Sequence, residues 1–247
     1  MTWFRYAPGE KGPEPHIHRR HTDAFYVLEG ELELALGPDL QAVTAEPGTF
    51  AAAPPNVVHT FRNVSDATAI FLNVHAPSMA FGDLIRGRDE KGFDQFEPPA
   101  DGGRPFEDAV LSRPGEGERL TRRTTTLIKA GLDDCDGQLS VFETTLPAGG
   151  SGPPLHLHRR TAEAFLVLDG TVEFTAGKEH ALLDPGSFAF AAPGLGHTFA
   201  NDGETEARCL TIAAPGGVEA FIREAVQADP AELAVLGSRH DTFLMGG

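Results

Sequence analysis

The chain has 247 residues, enough for two domains of ordinary size, and 40% of them are hydrophobic, enough for a packed core. Its 36 acidic against 20 basic side chains leave a formal net charge of −16 at pH 7, which weighs against nucleic acid and anionic membrane as partners, since both demand a basic face. No apolar run approaches the roughly 20 residues that span a bilayer, the first residues lack the shape of a secretory signal, and Cys135 and Cys209 are the sole cysteines. A cytoplasmic protein with two reduced, partly buried thiols is expected.

Taken in chain order, the first notable feature is His-Ile-His at His16 and His18, followed by Arg19-Arg20 and then by Asp23. In a strand, residues two apart share a face, so His16 and His18 project together. The odd interval to Asp23 cannot keep that face along one straight strand, so Arg19 to Thr22 is predicted to turn. Next comes AFYVLEGELELALG, residues 24–37, which reads as paired strands with turn residues at its ends. His59 follows about forty residues on, before Phe61 and Asn63. Ala76-Pro77 then introduces residues 79–87, where the apolar spacing is helical.

Residues 97–118 are rich in Pro, Gly and charge and read as a linker. The expected organisation is therefore a first domain over 1–96, the linker, and a second domain over 119–247. Residues 124–131, TTTLIKAG, look like an extra strand without a counterpart before the first repeat. Part of 106–130 is accordingly expected either to complete the first domain's sheet or to cover the boundary between domains.

The second half repeats the first. His16 to Gly30 and His156 to Gly170 share nine of fifteen residues at an offset of 140. At an offset of 138, Gly48, Phe50, Pro55, His59, Phe61 and Asn63 then meet Gly186, Phe188, Pro193, His197, Phe199 and Asn201. A period this long means duplicated domains. Residues 217–228 carry a helical pattern after Ala214-Pro215, as in the first half. Short strands punctuated by turn residues point to an all-β sandwich or barrel in each half, with a short helix at its end.

Each half thus offers three imidazoles and one carboxylate: His16, His18, Asp23 and His59 in one, His156, His158, Glu163 and His197 in the other. That is the ligand chemistry of a mid-to-late first-row divalent metal, so one ion of Fe, Mn, Ni, Co, Cu or Zn per domain is expected. Strand parity turns Phe25, Val27, Phe61, Phe165, Val167 and Phe199 toward the same interiors, as an apolar substrate pocket or as barrel core. Arg19-Arg20 and Arg159-Arg160 are expected in surface or interdomain ion pairs. His21, His180 and His240 are expected at the surface, and His75 as a bonded core or rim histidine.

Both halves resemble the cupin family. The first cupin motif is carried by His16, His18, Asp23 and Gly30 and by His156, His158, Glu163 and Gly170. The second is carried by Gly48, Pro54, His59 and Asn63 and by Gly186, Pro193, His197 and Asn201. The resemblance implies two tandem jelly-roll (double-stranded β-helix) barrels. Asp23 departs from the usual Glu and is one methylene shorter, and Asn56 stands where the motif prefers Gly. The stretch H-x-H-R-R-x-x-E-A-F-x-V-L-x-G is similar to that of quercetinase-like bicupins. That likeness implies a metal-dependent dioxygenase taking an enolisable or phenolic small molecule and dioxygen, with Glu163 as base as well as ligand and Asp23 as its analogue. A metal-dependent isomerase or decarboxylase and a non-catalytic binding protein are the alternatives. Two fused barrels imitate a dimer of single ones, so a monomer or a homodimer is expected.

Overall fold

The structure, a computed structural model, describes residues 1–88, 92–229 and 231–245. The chain forms two compact units, Met1–Glu116 with Asp133–Gln138, and Gly117–Leu132 with Leu139–Gly247.

The first unit contains β1 (Thr2–Tyr6), β2 (Thr22–Glu29), β3 (Leu32–Leu36), β4 (Gln41–Ala45), β5 (Phe50–Ala53), β6 (His59–Arg62), β7 (Ala69–Ala76), a four-residue helix α1 (Phe81–Leu84) and β8 (Val110–Ser112). One antiparallel sheet runs β1-β7-β2-β5-β8 and the other β4-β3-β6. Leu32, Leu34 and Leu36 alternate inward along β3. They meet Phe25, Val27, Phe61 and Phe71 in one apolar cluster, the two-layer solution that buries one face of each sheet. The stretch expected as a linker belongs to this unit over 97–116, because β8 adds to the edge of β5 at Phe50–Ser112. That pairing satisfies an edge that would otherwise expose its backbone donors and acceptors.

The second unit opens with β9 (Glu118–Thr121) and β10 (Thr125–Ala130). It continues through β11 (Ser140–Leu146), β12 (Gly150–Ser151), β13 (His156–His158), β14 (Ala162–Asp169), β15 (Val172–Ala176), β16 (Glu179–Leu183), β17 (Phe188–Ala191), β18 (His197–Asn201) and β19 (Ala207–Ala214). It ends with α2 (Val218–Ala225), α3 (Leu233–Arg239) and β20 (Thr242–Leu244). Its sheets run β17-β14-β19-β11-β10-β9 and β16-β15-β18-β13-β20, with β12 also on β18. The extra strand expected at TTTLIKAG is β10. It pairs with β11 in this unit. Helix α2 falls within the predicted 217–228, whereas α3 had no strong apolar period to announce it.

The two copies agree in local detail. The register slips between Val27 and Glu29 and again between Val167 and Asp169. Each bulge feeds a left-handed glycine, Gly30 and Gly170. A Cβ on Gly170 would stand 2.6 Å from the Glu206 carbonyl oxygen, so only glycine fits this tight bend. Asn56 takes the left-handed conformation that Gly194 takes in the other copy. Asn tolerates that region better than most side chains do, which accounts for the departure from the glycine of the motif. The amides of Asn63 and Asn201 each donate to three carbonyls of neighbouring loops, for Asn201 those of Leu146, Pro147 and Thr205. The motif asparagine is thus a clamp at the end of the strand that begins with the third histidine.

Candidate metal centres

β13 carries His156 and His158 on one face, and the strand register sets His156 directly across from His197 on β18. His16 and His59 face each other in the same way. The bend at Arg19–His21 and its counterpart then return Asp23 and Glu163, on β2 and β14, to the same interiors. All eight side chains are buried. In each unit one ligand atom from each of the four residues lies within 4.8 Å of the others.

Hydrogen bonding assigns the histidine tautomers. The six Nδ1 atoms face backbone carbonyls: Glu14 O for His16 at 2.9 Å, Asp94 O for His18 at 2.6 Å and Val57 O for His59 at 3.0 Å. In the second unit they face Pro154 O for His156 at 2.9 Å, Asp241 O for His158 at 3.2 Å and Leu195 O for His197 at 3.0 Å. A carbonyl oxygen only accepts, so every Nδ1 donates and every neutral ring turns the Nε2 lone pair inward. Those lone pairs converge on a carboxylate, itself an acceptor. His197 Nε2 and His158 Nε2 stand 2.6 and 3.1 Å from Glu163 Oε2. His59 Nε2 and His18 Nε2 stand 3.3 and 3.7 Å from Asp23 Oδ2. The buried Nε2 atoms of His18 and His158 have no hydrogen-bond partner among the described residues. Three lone pairs and an anion with no proton among them require a cation, and the donor set fits a divalent transition metal.

The electrostatics keep the ligands in their binding form. Burial, then the neighbouring His59 and His18, pushes His16 down to about 3. Burial and then His197 push His156 down to about 4. Burial alone would raise Glu163, but the His158 and His197 rings beside its carboxylate outweigh burial and hold the carboxyl well below its ordinary range. His158 moves the other way: burial lowers it, while the Glu163 carboxylate outweighs burial and raises it.

One structural element escaped the sequence reading. Asp94 and Phe96 in the first unit correspond in role to Asp241 and Phe243 in the second. Each aspartate carbonyl holds the second histidine's Nδ1. Each carboxylate accepts backbone N–H groups of the arginine pair, from Arg19 and Arg20 at 2.9 and 2.7 Å and from Arg160 at 2.8 Å. Arg19 and Arg159 lie over the rings of Phe96 and Phe243 at 3.9 and 4.0 Å. The repeated arginines therefore fasten a strap behind the metal ligands. Its only sequence trace is a short Asp-x-Phe, lost in a Pro- and Gly-rich stretch and in the C-terminal tail. Replacing Asp241 with Ala keeps the carbonyl that holds His158 but removes the carboxylate that anchors it to the Arg160 N–H, and is expected to weaken metal binding in the second unit by up to about 10-fold, the low end of an outer-shell loss. Competition against a chromophoric chelator measures it, and an unchanged affinity would show that the strap does not orient His158.

The predicted pocket residues divide between the units. In the second, a cavity of ≈ 350 Å³ is lined by His156, His158, Glu163, Phe165 and Phe199, with Phe142, Val218 and Ile222 among its apolar walls. Val167 lies in the adjoining core, 2% exposed. In the first unit Phe25, Val27 and Phe61 all belong to the packed core. Phe61 meets Phe25, Tyr6 and Phe71 at ring distances of 4.9, 5.7 and 5.7 Å. At the positions of Tyr6 and Phe71 the second unit has Leu146 and Cys209, smaller side chains packed with Phe165 and Phe199 in that unit's core. Cys135 and Cys209 are both buried.

Two further histidines sit against the first centre. His21, expected at the surface, is fully buried, because the bend that returns Asp23 also folds this ring under Phe93 and beside His18. His75 is buried on β7, bonds to Asn73 and stands 2.8 Å from His21 Nε2. His180 is exposed, as expected, and His240 is partly exposed beside Glu224. No helix of the described residues is long and apolar enough to cross a membrane.

A family model described as Cupin domain matches residues 2–75 and 142–213. A curated relative, quercetin 2,3-dioxygenase of Bacillus subtilis, is 40% identical over 93 residues. That alignment takes in 36% of this chain and only 26% of the relative. Among solved structures, the formate complex of Lactobacillus farciminis oxalate decarboxylase aligns with a TM-score of 0.59 at 11% identity, covering 94% of this chain and 85% of that one. AerE from Microcystis aeruginosa aligns with a TM-score of 0.57 at 16% identity, covering 86% and 85%. At such identities these structures share the fold alone.

Proposed function

This chain belongs to the cupin domain family, and from that premise we propose that it is a metal-dependent oxidoreductase that uses dioxygen on an enolisable or phenolic small molecule, with its working site in the second unit. The observation that carries the proposal is the cavity beside His156, His158 and Glu163, whose remaining walls are largely aromatic and aliphatic. Such walls suit a planar, mostly apolar substrate. They suit a small dianion poorly, because the cavity's cations, Arg122 and Arg123, are exposed. Arg122 is also occupied with the carbonyls of Ala225 and Ala228.

His156, His158 and His197 would hold the ion, with Glu163 as fourth ligand. A divalent metal there supplies a Lewis acid that favours the deprotonated form of an enol or phenol oxygen. The Glu163 carboxylate is the proton acceptor: it is buried and on the cavity wall. Phe165 and Phe199 position the ring and exclude water. In the first unit His16, His18, His59 and Asp23 would hold an ion beside the packed Phe25, Phe61 and Phe71 cluster, a placement that favours a structural role. Partial identity to a quercetin 2,3-dioxygenase supports the reaction class, over a quarter of that protein's length.

An oxygen electrode tests the reading. The protein loaded with Fe, Mn, Co or Ni is expected to consume dioxygen in step with loss of a flavonol such as quercetin. Conversion of oxalate without dioxygen, with every flavonol left intact, would overturn it.

A further inference from the structure

Beside the first metal centre, His18, His21 and His75 each offer one ring nitrogen, and the three nitrogens lie within 4.8 Å of one another. With all three rings neutral, proton counting in this trio leaves two lone pairs face to face. The amide of Asn73 donates to Asp23 Oδ1 and to Ala24 O, which fixes its own Oδ1 toward His75. Asn73 Oδ1 can only accept, so His75 Nε2 donates, at 2.9 Å, and His75 Nδ1 is a lone pair. His21 Nδ1 faces the Asp94 carboxylate at 3.2 Å and donates to it, so His21 Nε2 is also a lone pair. These two lone pairs face each other at 2.8 Å. His18 Nδ1 donates to Asp94 O, and its Nε2 has no hydrogen-bond partner among the described residues. Three buried imidazoles thus lie together, His18 stacked on His21 at 4.0 Å, each with its far nitrogen oriented by a carboxylate, an amide or a carbonyl, the outer-shell arrangement of metal-ligating histidines.

We propose that His21 Nε2, His75 Nδ1 and His18 Nε2 form a second, all-nitrogen metal position in the first unit, which takes a late first-row divalent cation such as Zn²⁺. His18 has a single lone pair to give, so the two positions compete for it, and one ion moves between a three-imidazole station and the His16–Asp23–His59 station. Two imidazoles sharing an ion at about 2.0–2.1 Å each need their nitrogens only a little over ~3 Å apart, so His21 and His75 part by a few tenths of an ångström. The second unit has no such station: His21 is replaced by Thr161 and His75 by Ala213.

Zn²⁺ stoichiometry in the full chain tests this, with the second unit's equivalent as internal standard. The double variant His16→Ala, His59→Ala is expected to keep two equivalents, one per unit. Adding His21→Gln and His75→Gln is expected to reduce the count to one. A count of one in the double variant, with the second unit loaded and circular dichroism unchanged, overturns the proposal. So does a count of two after His21 and His75 are replaced, because His18 and Asp23 would then suffice. Loss of the second unit's equivalent in unaltered protein is a separate result, which would strike the His156–His158–His197 centre instead.

Discussion

Glu163→Gln is expected to abolish most turnover while leaving the metal in place. Gln keeps the length and shape of Glu, and three imidazoles still hold the ion, so the second unit should retain about one equivalent. What disappears is the proton acceptor on the cavity wall. Positioned general bases contribute about 10²- to 10⁴-fold, and kcat is expected to fall by that factor with a much smaller change in KM. His197→Ala supplies the contrast. It removes a ligand from the strand that faces His156 and should cost that unit its equivalent as well as its activity. Measured metal content and single-turnover rates separate the two. A Glu163→Gln protein that turns over within a few-fold of the parent would remove Glu163 from the reaction.

Acid is expected to unfold the metal-free protein well above the range of ordinary carboxylates. Burial, ahead of their charged neighbours, pushes His16 and His21 down to about 3 and His75 and His156 down to about 4. In the unfolded chain these rings titrate near 6.5. Between about pH 6.5 and pH 4 the unfolded state therefore binds more protons, and stability falls as pH falls, by up to about 1.4 kcal/mol per pH unit for each ring. His158 opposes them. Its pKa is raised in the folded state, so its contribution is full below about 6.5 and is lost as pH rises through its folded pKa. Below about 6.5 it adds no slope, so the four depressed rings set the net slope downward into acid. Glu163, depressed in the folded state, adds a loss below about 4.5. Against a total stability of about 5–15 kcal/mol for a typical protein, four such rings move the acid transition to around pH 5. Bound metal competes with these protons and should shift the transition to lower pH. Urea titrations of chelator-treated and Zn²⁺-loaded protein from pH 7.5 to pH 4.5 measure both slopes. Equal stability of the metal-free form across that range would mean that these rings keep their ordinary pKa when folded.

Much of the site was legible because its rules are local. A two-residue strand period places His156 beside His158 and aligns Glu163, Phe165 and Val167, and the repetition of that spacing at His16, His18 and Asp23 leaves little room for accident. Turn residues announced the bends and bulges, and Ala-Pro marked both chain segments that leave the barrels. Helix α3, seven residues long, is too short for apolar spacing to stand out.

Sequence by itself determined the duplication, the all-β architecture and the eight residues that could each hold a metal, since all three follow from side-chain periodicity along single segments. Tertiary structure alone decided which side chains line the cavity beside the second centre. Phe25 and Phe165 occupy equivalent strand positions, yet their surroundings depend on Tyr6 and Phe71 in one unit and Leu146 and Cys209 in the other, residues that meet them across a sheet. The same holds for the strap at Asp94 and Asp241 and for the burial of His21. Each depends on a contact between segments far apart in sequence, and no local pattern encodes the volume left when such segments close.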